Sequence, residues 1–559
     1  MIPTKKQLPI IRPEYIFPLL AAASLLISCI LISNKKYFWN DELYSYYLLA
    51  DQSFVHMLIA FHDRINNTPF LYFLTGWIWA KIFGSTELSL RLFSSLGFCV
   101  ALTVIWLVLR RTYDFASTTT GVLLVFCTSE LVLSQNVEAR MYGLFLAFSA
   151  LGVYQYDRLN SDLHNANLKS VKRKTWLNTI IHAAIIHTHL FGIFYSGAIL
   201  LAQLFRDKYF KVFRPKIYFS IILSWISLFF YLPSFLNQAS VSYPRSWIPT
   251  PTRQDLFTFL NAPSPSFLGL NALTLIILLV GLKVLISHHR AKVGSSPIQL
   301  NLEKQNSEFS LLIVAYSFLT VPILVWFLSR IIKPIFIDRY MMPTILSWVI
   351  LFVFLFSRTI FVNYVDHPQS EKFRFCSKVF NGNIFALLIS ATFLLYPLRY
   401  AASFPGQQRP GLNDGKYGYG NLPIVTQFSH DFTQRFHYSS QHSQYFFILD
   451  WEAALDEGSG SFTPQEYKHL DALKHNYPQY FSNHIVQSQE FLQANDRFLV
   501  LDSPHYDAKC SLQRTWENIS CPQWLEKRIL SNSNFRIKNL GLADSERILL
   551  LVEKVSDRT

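Results

Sequence analysis

Acidic, basic and imidazole side chains crowd a few short segments of this chain, and their types suit proton transfer and anion binding. Asp41 and Glu42 stand side by side in FWNDELYSYY. Glu138 and Arg140 share the segment SQNVEARMYG, with Tyr142 next to them. His187 and His189 lie in HTHLFG, and Asp338, Arg339 and Tyr340 open DRYMMP. A carboxylate within about 3 Å of a hydroxyl can take its proton as the oxygen forms a bond. An arginine stays charged and grips a phosphate through a planar fork. A departing anion is stabilised by such a charge and needs no general acid. Histidines spaced i, i+2 are poor zinc geometry without cysteine or carboxylate neighbours. His187 and His189 are the one place where a divalent metal comes into question, and no cofactor is expected.

Each of these segments lies beside or between long apolar blocks. Eleven such blocks are read as candidate spans: Ile16–Ser33, Leu88–Leu109, Ala116–Leu133, Met141–Tyr156, Trp176–Ile186, Leu190–Phe205, Ile217–Leu236, Leu268–Ile286, Phe309–Leu328, Met341–Phe356 and Ile384–Leu398. A helix of ~20 apolar residues crosses the ~30 Å of bilayer hydrocarbon. Trp176–Ile186 is too short to cross alone and reads as a thin, tilted or broken helix. Of the 559 residues, 51% are hydrophobic and only 15% charged, against about 25% charged in soluble domains. That excludes a soluble protein and a disordered one.

The net charge of +14 follows from topology. With the N-terminus in the cytoplasm, the inner segments hold 22 Lys and Arg and the outer segments before residue 400 hold 11. Basic residues gather on the cytoplasmic side, so the charge is an orientation signal. A nucleic-acid footprint would need basic residues on one folded face, and none is found. The first block is followed by LISNKKYFWNDE without a small-residue cleavage site, and reads as a retained helix of an inner-membrane protein. The polar segments named above then all fall on the outer side.

Residues 1–400 thus form a transmembrane domain with a first outer loop at about 34–87, and 401–559 form an extracytoplasmic tail. The stretch 404–442 is rich in Gly, Gln, Ser and Pro and reads as loop. The apolar runs YFFILDW, RFLVLDS, FRIKNLG and ERILLLVEK read as strands, and PQEYKHLDALKH and CPQWLEKRIL as helices between them. A small α/β domain is expected. Cys510 and Cys521 lie in it, and an oxidising compartment would allow a disulfide between them. Cys29, Cys99 and Cys127 fall in spans and read as packing, and Cys376 falls on the inner side.

FWNDELYSYY, NNTPFLYFLTGWIWAKIFGSTELSLRLFSSL, SQNVEARMYGLFLAF, HTHLFGIF and DRYMMP occur in the order seen in bacterial membrane glycosyltransferases of family 39. The chain resembles protein O-mannosyltransferases and lipid A aminoarabinose transferases over roughly residues 15–400. The resemblance implies an all-α polytopic type-C glycosyltransferase bundle, horizontal helices in the first outer loop, an outward-facing site and a sugar carried on a polyprenyl phosphate. Many members have His-Pro-Pro-Leu where this chain has Asn67, Thr68, Pro69 and Phe70, so no ligand role passes to Asn67.

On this reading Asp41 is the base that deprotonates an acceptor hydroxyl, where the family pattern places the more critical acid, with Glu42 in support and Glu138 the alternative base. Arg339, then Arg140, would hold the lipid phosphate. Tyr142, Tyr340 and the YSYYLL aromatics would stack on sugar or hold the lipid head, and His187 and His189 would pack or touch a substrate hydroxyl. Arg91 reads as structural. One base with direct displacement inverts the anomeric carbon, since retention normally needs a second carboxylate as nucleophile. The expected partners are the lipid-linked sugar, membrane lipids and an acceptor that is protein, lipid or glycan. A flippase for lipid-linked sugars would need ionisable groups deep in the spans. A receptor would leave the polar outer loops unexplained.

Overall fold

The protein is described here by a computed structural model covering residues 13–161, 168–244, 247–261, 299–359, 382–456, 463–502, 524–544 and 547–555. Its contacts divide the chain into two units. The first comprises Met1–Asn34, Arg91–Leu228 and Pro251–Phe404, and the second Lys35–Leu90, Phe229–Thr250 and Pro405–Thr559.

The first unit is a helical bundle. In its Ile16–Ser33 helix, Ala21, Leu25, Cys29 and Ile32 recur every three or four residues and are buried. Leu19, Leu20, Ile27, Ile30 and Leu31 are apolar yet exposed. A helix in water turns a polar face outward, so one that is apolar all round needs hydrocarbon beside it. Four described helices are long and apolar enough to cross a membrane: Ile16–Ser33, Glu87–Arg110, Lys304–Ile331 and Asp338–Arg358. Two further pairs bend at a break, Phe115–Thr128 with Glu130–Asn136 by 61° and Pro215–Phe230 with Leu232–Ser242 by 62°, and raise the number to six if each pair is one span. The chain is a membrane protein, but this does not reproduce the expected eleven. The block at Leu268–Ile286 lies outside the described residues. Trp176–Ile186 belongs to a helix of 21 residues, Leu168–Thr188. Lys169, Lys172, Arg173 and Lys174 in its first turns hide its length from hydropathy.

Close helix contact depends on glycine at one crossing. A Cβ on Gly143 would lie 2.0 Å from the Ser94 carbonyl oxygen, and one on Gly97 2.2 Å from the Gly143 carbonyl carbon. The two backbones touch there, as small residues allow. Basic residues at other helix ends pair with acids: Arg110 with Glu14 at 2.8 Å, Arg111 with Asp157 at 2.5 Å, and Arg358 with Glu308 at 2.7 Å.

The second unit is built on a six-stranded sheet of order β3-β2-β1-β4-β6-β5. Its strands are β1 (Ile424–Thr426), β2 (Tyr445–Leu449), β3 (Ile485–Gln487), β4 (Arg497–Asp502), β5 (Phe535–Leu542) and β6 (Ile548–Lys554). The first four run parallel, and β6 is antiparallel to both β4 and β5. Beyond Arg497, β4 is buried throughout, the pattern of a strand covered on both faces. Val425, Ile448, Phe498, Val500, Leu550 and Val552 share one core. On edge strand β5, Arg536 and Lys538 are exposed, and the pairing shifts between Asn539 and Gly541.

The four expected strands are β2, β4, β5 and β6, and the helix expected from PQEYKHLDALKH is Thr463–Asn476. The stretch 404–442 is not all loop, because β1 and the Ser429–Tyr438 helix fall in it. A three-residue strand, Ile424–Thr426, is too short to stand out from its polar surroundings, but inside a sheet its ladder bonds come from the neighbouring strands. Cys510 and Cys521 lie outside the described residues. Cys29, Cys99 and Cys127 are buried.

Residues 35–90 form the helices Asn40–Leu49, Phe54–His62 and Leu71–Phe83, and these pack on the C-terminal residues of the same unit. Phe38 N–H donates to the Tyr438 hydroxyl at 2.9 Å, and that hydroxyl donates to Glu87 at 2.7 Å. Gln434 donates to the Phe38 carbonyl at 2.8 Å, and Asn476 to Asp63 at 2.7 Å. Inside the sheet domain, Arg435 bonds Asp414, Asp431 and Asp544 at 2.8, 2.9 and 2.6 Å.

Candidate active site

In the first unit, the segment Asp338–Thr344 is a short 3-10 helix entered from extended backbone at Ile337. The buried Tyr195 hydroxyl fixes it, lying 3.0 Å from the Met341 carbonyl and 2.7 Å from the Thr344 hydroxyl. Tyr195 sits in an apolar run, so sequence reading passes over it. The signal was there, as a buried tyrosine needs a partner for its hydroxyl.

This anchored segment presents Arg339 and Tyr340 to an aromatic cluster. The Arg339 guanidinium lies 5.9 Å from the Tyr340 ring centre. Tyr340 meets His189 at 5.0 Å, Phe191 at 5.3 Å and Tyr142 at 6.5 Å. His189 stacks on Phe145 at 5.1 Å. The Phe191 N–H donates to His189 Nδ1 at 3.1 Å, which places the proton of the neutral ring on Nε2. Burial, and then the charges of Arg140 and Arg339, push the His189 imidazole down to about 3. Both guanidiniums therefore act on one uncharged, hydrogen-bond-donating ring.

Arg140 reaches this cluster from a turn set by Asn136. The Asn136 amide donates to the Leu25 carbonyl at 3.0 Å and accepts from the Ser95 hydroxyl at 2.7 Å. The Arg140 N–H then donates to the Glu138 carbonyl at 2.8 Å, tightening the turn. Tyr142 opens the next helix, Tyr142–Ser161. His187 takes a different direction, with its Nε2 2.8 Å from the Ser227 hydroxyl.

Asp41 and Glu42 belong to the second unit. They occupy the first turn of the Asn40–Leu49 helix, where the dipole favours acids. The fully buried Glu42 accepts from the Trp39 N–H at 3.2 Å and closes that turn. Asp41 is half-buried. Below the turn, Asn40 donates to the Ser429 hydroxyl at 3.2 Å, which donates to Glu466 at 3.0 Å. Burial, with some help from the nearby Asp431 charge, pushes the Glu466 carboxyl up to about 7. Among the described residues, no group of three His, Cys, Asp or Glu is placed to hold a metal.

No model of a known protein family matches the sequence, and no curated protein matches it. Solved structures do. ArnT from Cupriavidus metallidurans in the apo state superposes with a TM-score of 0.54 at 12% identity, over 96% of this chain and 97% of that one. The crystal structure of ArnT from the same organism bound to undecaprenyl phosphate gives 0.52 at 10% identity, over the same shares. The fold is that of a type-C glycosyltransferase. Coverage of 96% carries this likeness through both units, the C-terminal sheet included. At such low identity the type-C fold is shared, and the roles of individual residues rest on their own chemistry.

Proposed function

We propose that the protein is an inverting glycosyltransferase that moves a sugar from a polyprenyl-phosphate donor to an acceptor hydroxyl on the outer face of the cell membrane. The N-terminus would lie in the cytoplasm and the C-terminal domain outside. The observation that carries this reading is the cluster in which Arg339 lies against Tyr340 and Tyr340 against His189 and Tyr142, with Arg140 in the turn that leads into Tyr142. It occurs in a fold shared with a protein described as bound to undecaprenyl phosphate. Two fixed cations with aromatic neighbours suit a phosphate carried on a lipid.

In the proposed reaction Asp41 takes the acceptor hydroxyl proton as the oxygen attacks the anomeric carbon. The bond from that carbon to the phosphate oxygen breaks, and its electron pair leaves with the lipid phosphate. Arg339 and Arg140 stabilise the developing charge, and His189 donates through Nε2–H. Tyr142 and Tyr340 flank the sugar or lipid head. Glu42 supports Asp41 by holding the helix turn, and Glu138 holds the Arg140 turn. His187 positions its loop through Ser227.

The test uses purified protein in lipid nanodiscs with undecaprenyl-phosphate-linked sugars and a membrane extract, with products read by mass spectrometry. Transfer should appear with inverted anomeric configuration. A retained configuration, or no transfer to any acceptor, would overturn the reading.

A further inference from the structure

A cavity lies wholly within the second unit, past the far end of the helix that carries Asp41. Its volume is about 570 Å³, within the ~300–1,000 Å³ usual for small-molecule sites. Tyr46 and Tyr47 from the Asn40–Leu49 helix form one wall. Phe436 from the Ser429–Tyr438 helix and Tyr480 from the short Pro478–Phe481 helix form others.

The cavity is held open by a fixed floor. The Tyr477 hydroxyl lies 2.9 Å from the Tyr47 carbonyl and 3.0 Å from an Asp51 carboxylate oxygen. That same oxygen meets His56 Nδ1, while the other Asp51 oxygen accepts from the Ser53 N–H at 2.9 Å. Tyr46 is braced edge-on against His437 at 4.8 Å, and Phe436 packs on His484 at 5.0 Å. Tyr480 remains 53% exposed. An exposed ring at the mouth of a braced cavity is a binding surface rather than core.

The lining decides the chemistry. Asp51 is engaged by His56, Tyr477 and Ser53, and no lysine or arginine lines the cavity among the described residues. The one carboxylate of the lining is thus held within the protein, and no lysine or arginine of the lining faces a phosphate; Lys81, outside the lining, donates to the Gln52 amide oxygen at 3.4 Å. Gln52, Gln479 and Ser85 offer uncharged groups that both donate and accept. Burial pushes the His437 and His484 imidazoles down, which keeps them neutral at pH 7. Aromatic faces carry partial negative charge and attract the C–H bonds of a sugar ring, while amides, hydroxyls and imidazoles match its hydroxyls.

We infer that this cavity binds a neutral saccharide, with Tyr46 and Tyr480 packing on its rings and Gln52 and Gln479 bonding its hydroxyls. The occupant is then the glycan portion of the acceptor, an assignment that rests on the transferase reading above.

The experiment is saturation-transfer NMR on the full-length protein in nanodiscs free of sugar-headed detergent. The probes are glucose, galactose, mannose, N-acetylglucosamine, lactose and cellobiose. At least one probe should receive saturation from aromatic protons, and Tyr480→Ala and Tyr46→Ala should each weaken its binding about 3- to 10-fold. Tyr480 is exposed, so its variant should fold normally; circular dichroism checks this. Silence from every probe, or affinities unchanged in both variants, would overturn the inference. The same titration on Asp41→Asn separates the two readings. Binding retained while wild-type transfer is never found keeps the cavity and removes the transferase. Transfer without any saccharide binding does the reverse.

Discussion

Asp41 and Glu42 are adjacent, yet the helix turn gives them different surroundings. The Glu42 carboxylate is committed to the Trp39 N–H, whereas Asp41 is only half-buried. Asp41→Asn should lower the transfer rate about 10²- to 10⁴-fold with only a small fall in unfolding temperature from the lost charge at the helix N-terminus. Glu42→Ala should cost about 1 kcal/mol of stability through the lost cap. Paired turnover and thermal-unfolding measurements distinguish the two, and wild-type turnover in Asp41→Asn would place the base elsewhere. Arg339→Ala should weaken donor binding at least tenfold, read by titrating undecaprenyl phosphate; an unchanged affinity would assign the phosphate to other residues. Glu466 sets a pH dependence. Its carboxyl is raised from 4.5 to about 7 in the folded chain. The stability of that neutral, buried form is fully present below about pH 4.5 and is lost as pH rises through about 7. The loss is on the order of 2 kcal/mol, the residue being in part open to solvent. Hydrogen exchange at the β1 and β4 amides should therefore speed up between pH 5 and 8, after correction for the intrinsic rate, and Glu466→Gln should flatten the trend. An equal slope in that variant would refute the assignment.

At the level of elements, the glycine crossing is the most demanding contact. Gly143→Ala would drive a methyl into the Ser94 carbonyl, and the helices must part by more than a flexible side chain could absorb. A loss of about 1–3 kcal/mol is expected, together with weaker lipid-phosphate binding because Tyr142 is the next residue. Wild-type unfolding of the variant in nanodiscs would show that the crossing can relax. Much of this level was legible in the sequence, for definite reasons. Ile16–Ser33 announces itself by an unbroken apolar run, and β2, β4 and β6 by four or five consecutive apolar residues. β1 and β3 have three residues each, and their identity depends on the strands beside them. The cap at Glu42 escaped notice because Trp39, which precedes the helix, supplies no side-chain oxygen. Tyr195 and Asn136 escaped because hydropathy averages a single polar group away. The YSYYLL aromatics stand out as sugar-stacking candidates, but their partners Phe436, Tyr477 and Tyr480 lie hundreds of positions away, and no local pattern joins them.

For the whole molecule, the main feature hidden from linear reading is that residues 35–90 share a unit with residues 405–559. Hydropathy marks where the apolar blocks end without showing what the connecting segments pack on. A chain ending at Phe404 would strip the Asn40–Leu49 helix of the bonds from Asn40 to Ser429 and from Gln434 to Phe38. Limited trypsin digestion should then cut at Arg64 much faster than in the full chain; equal rates would show that the segment folds unaided. Both borders of the C-terminal sheet also bear on how copies of the protein behave when crowded together. β3 is too brief to template a neighbour, while β5 carries Arg536, Lys538 and a slipped register. Mutual charge repulsion and broken periodicity blunt that margin against zipping to a second molecule. Stacking of sheets into polymers is thus opposed at each end, and any self-association has to use surfaces other than the strand margins.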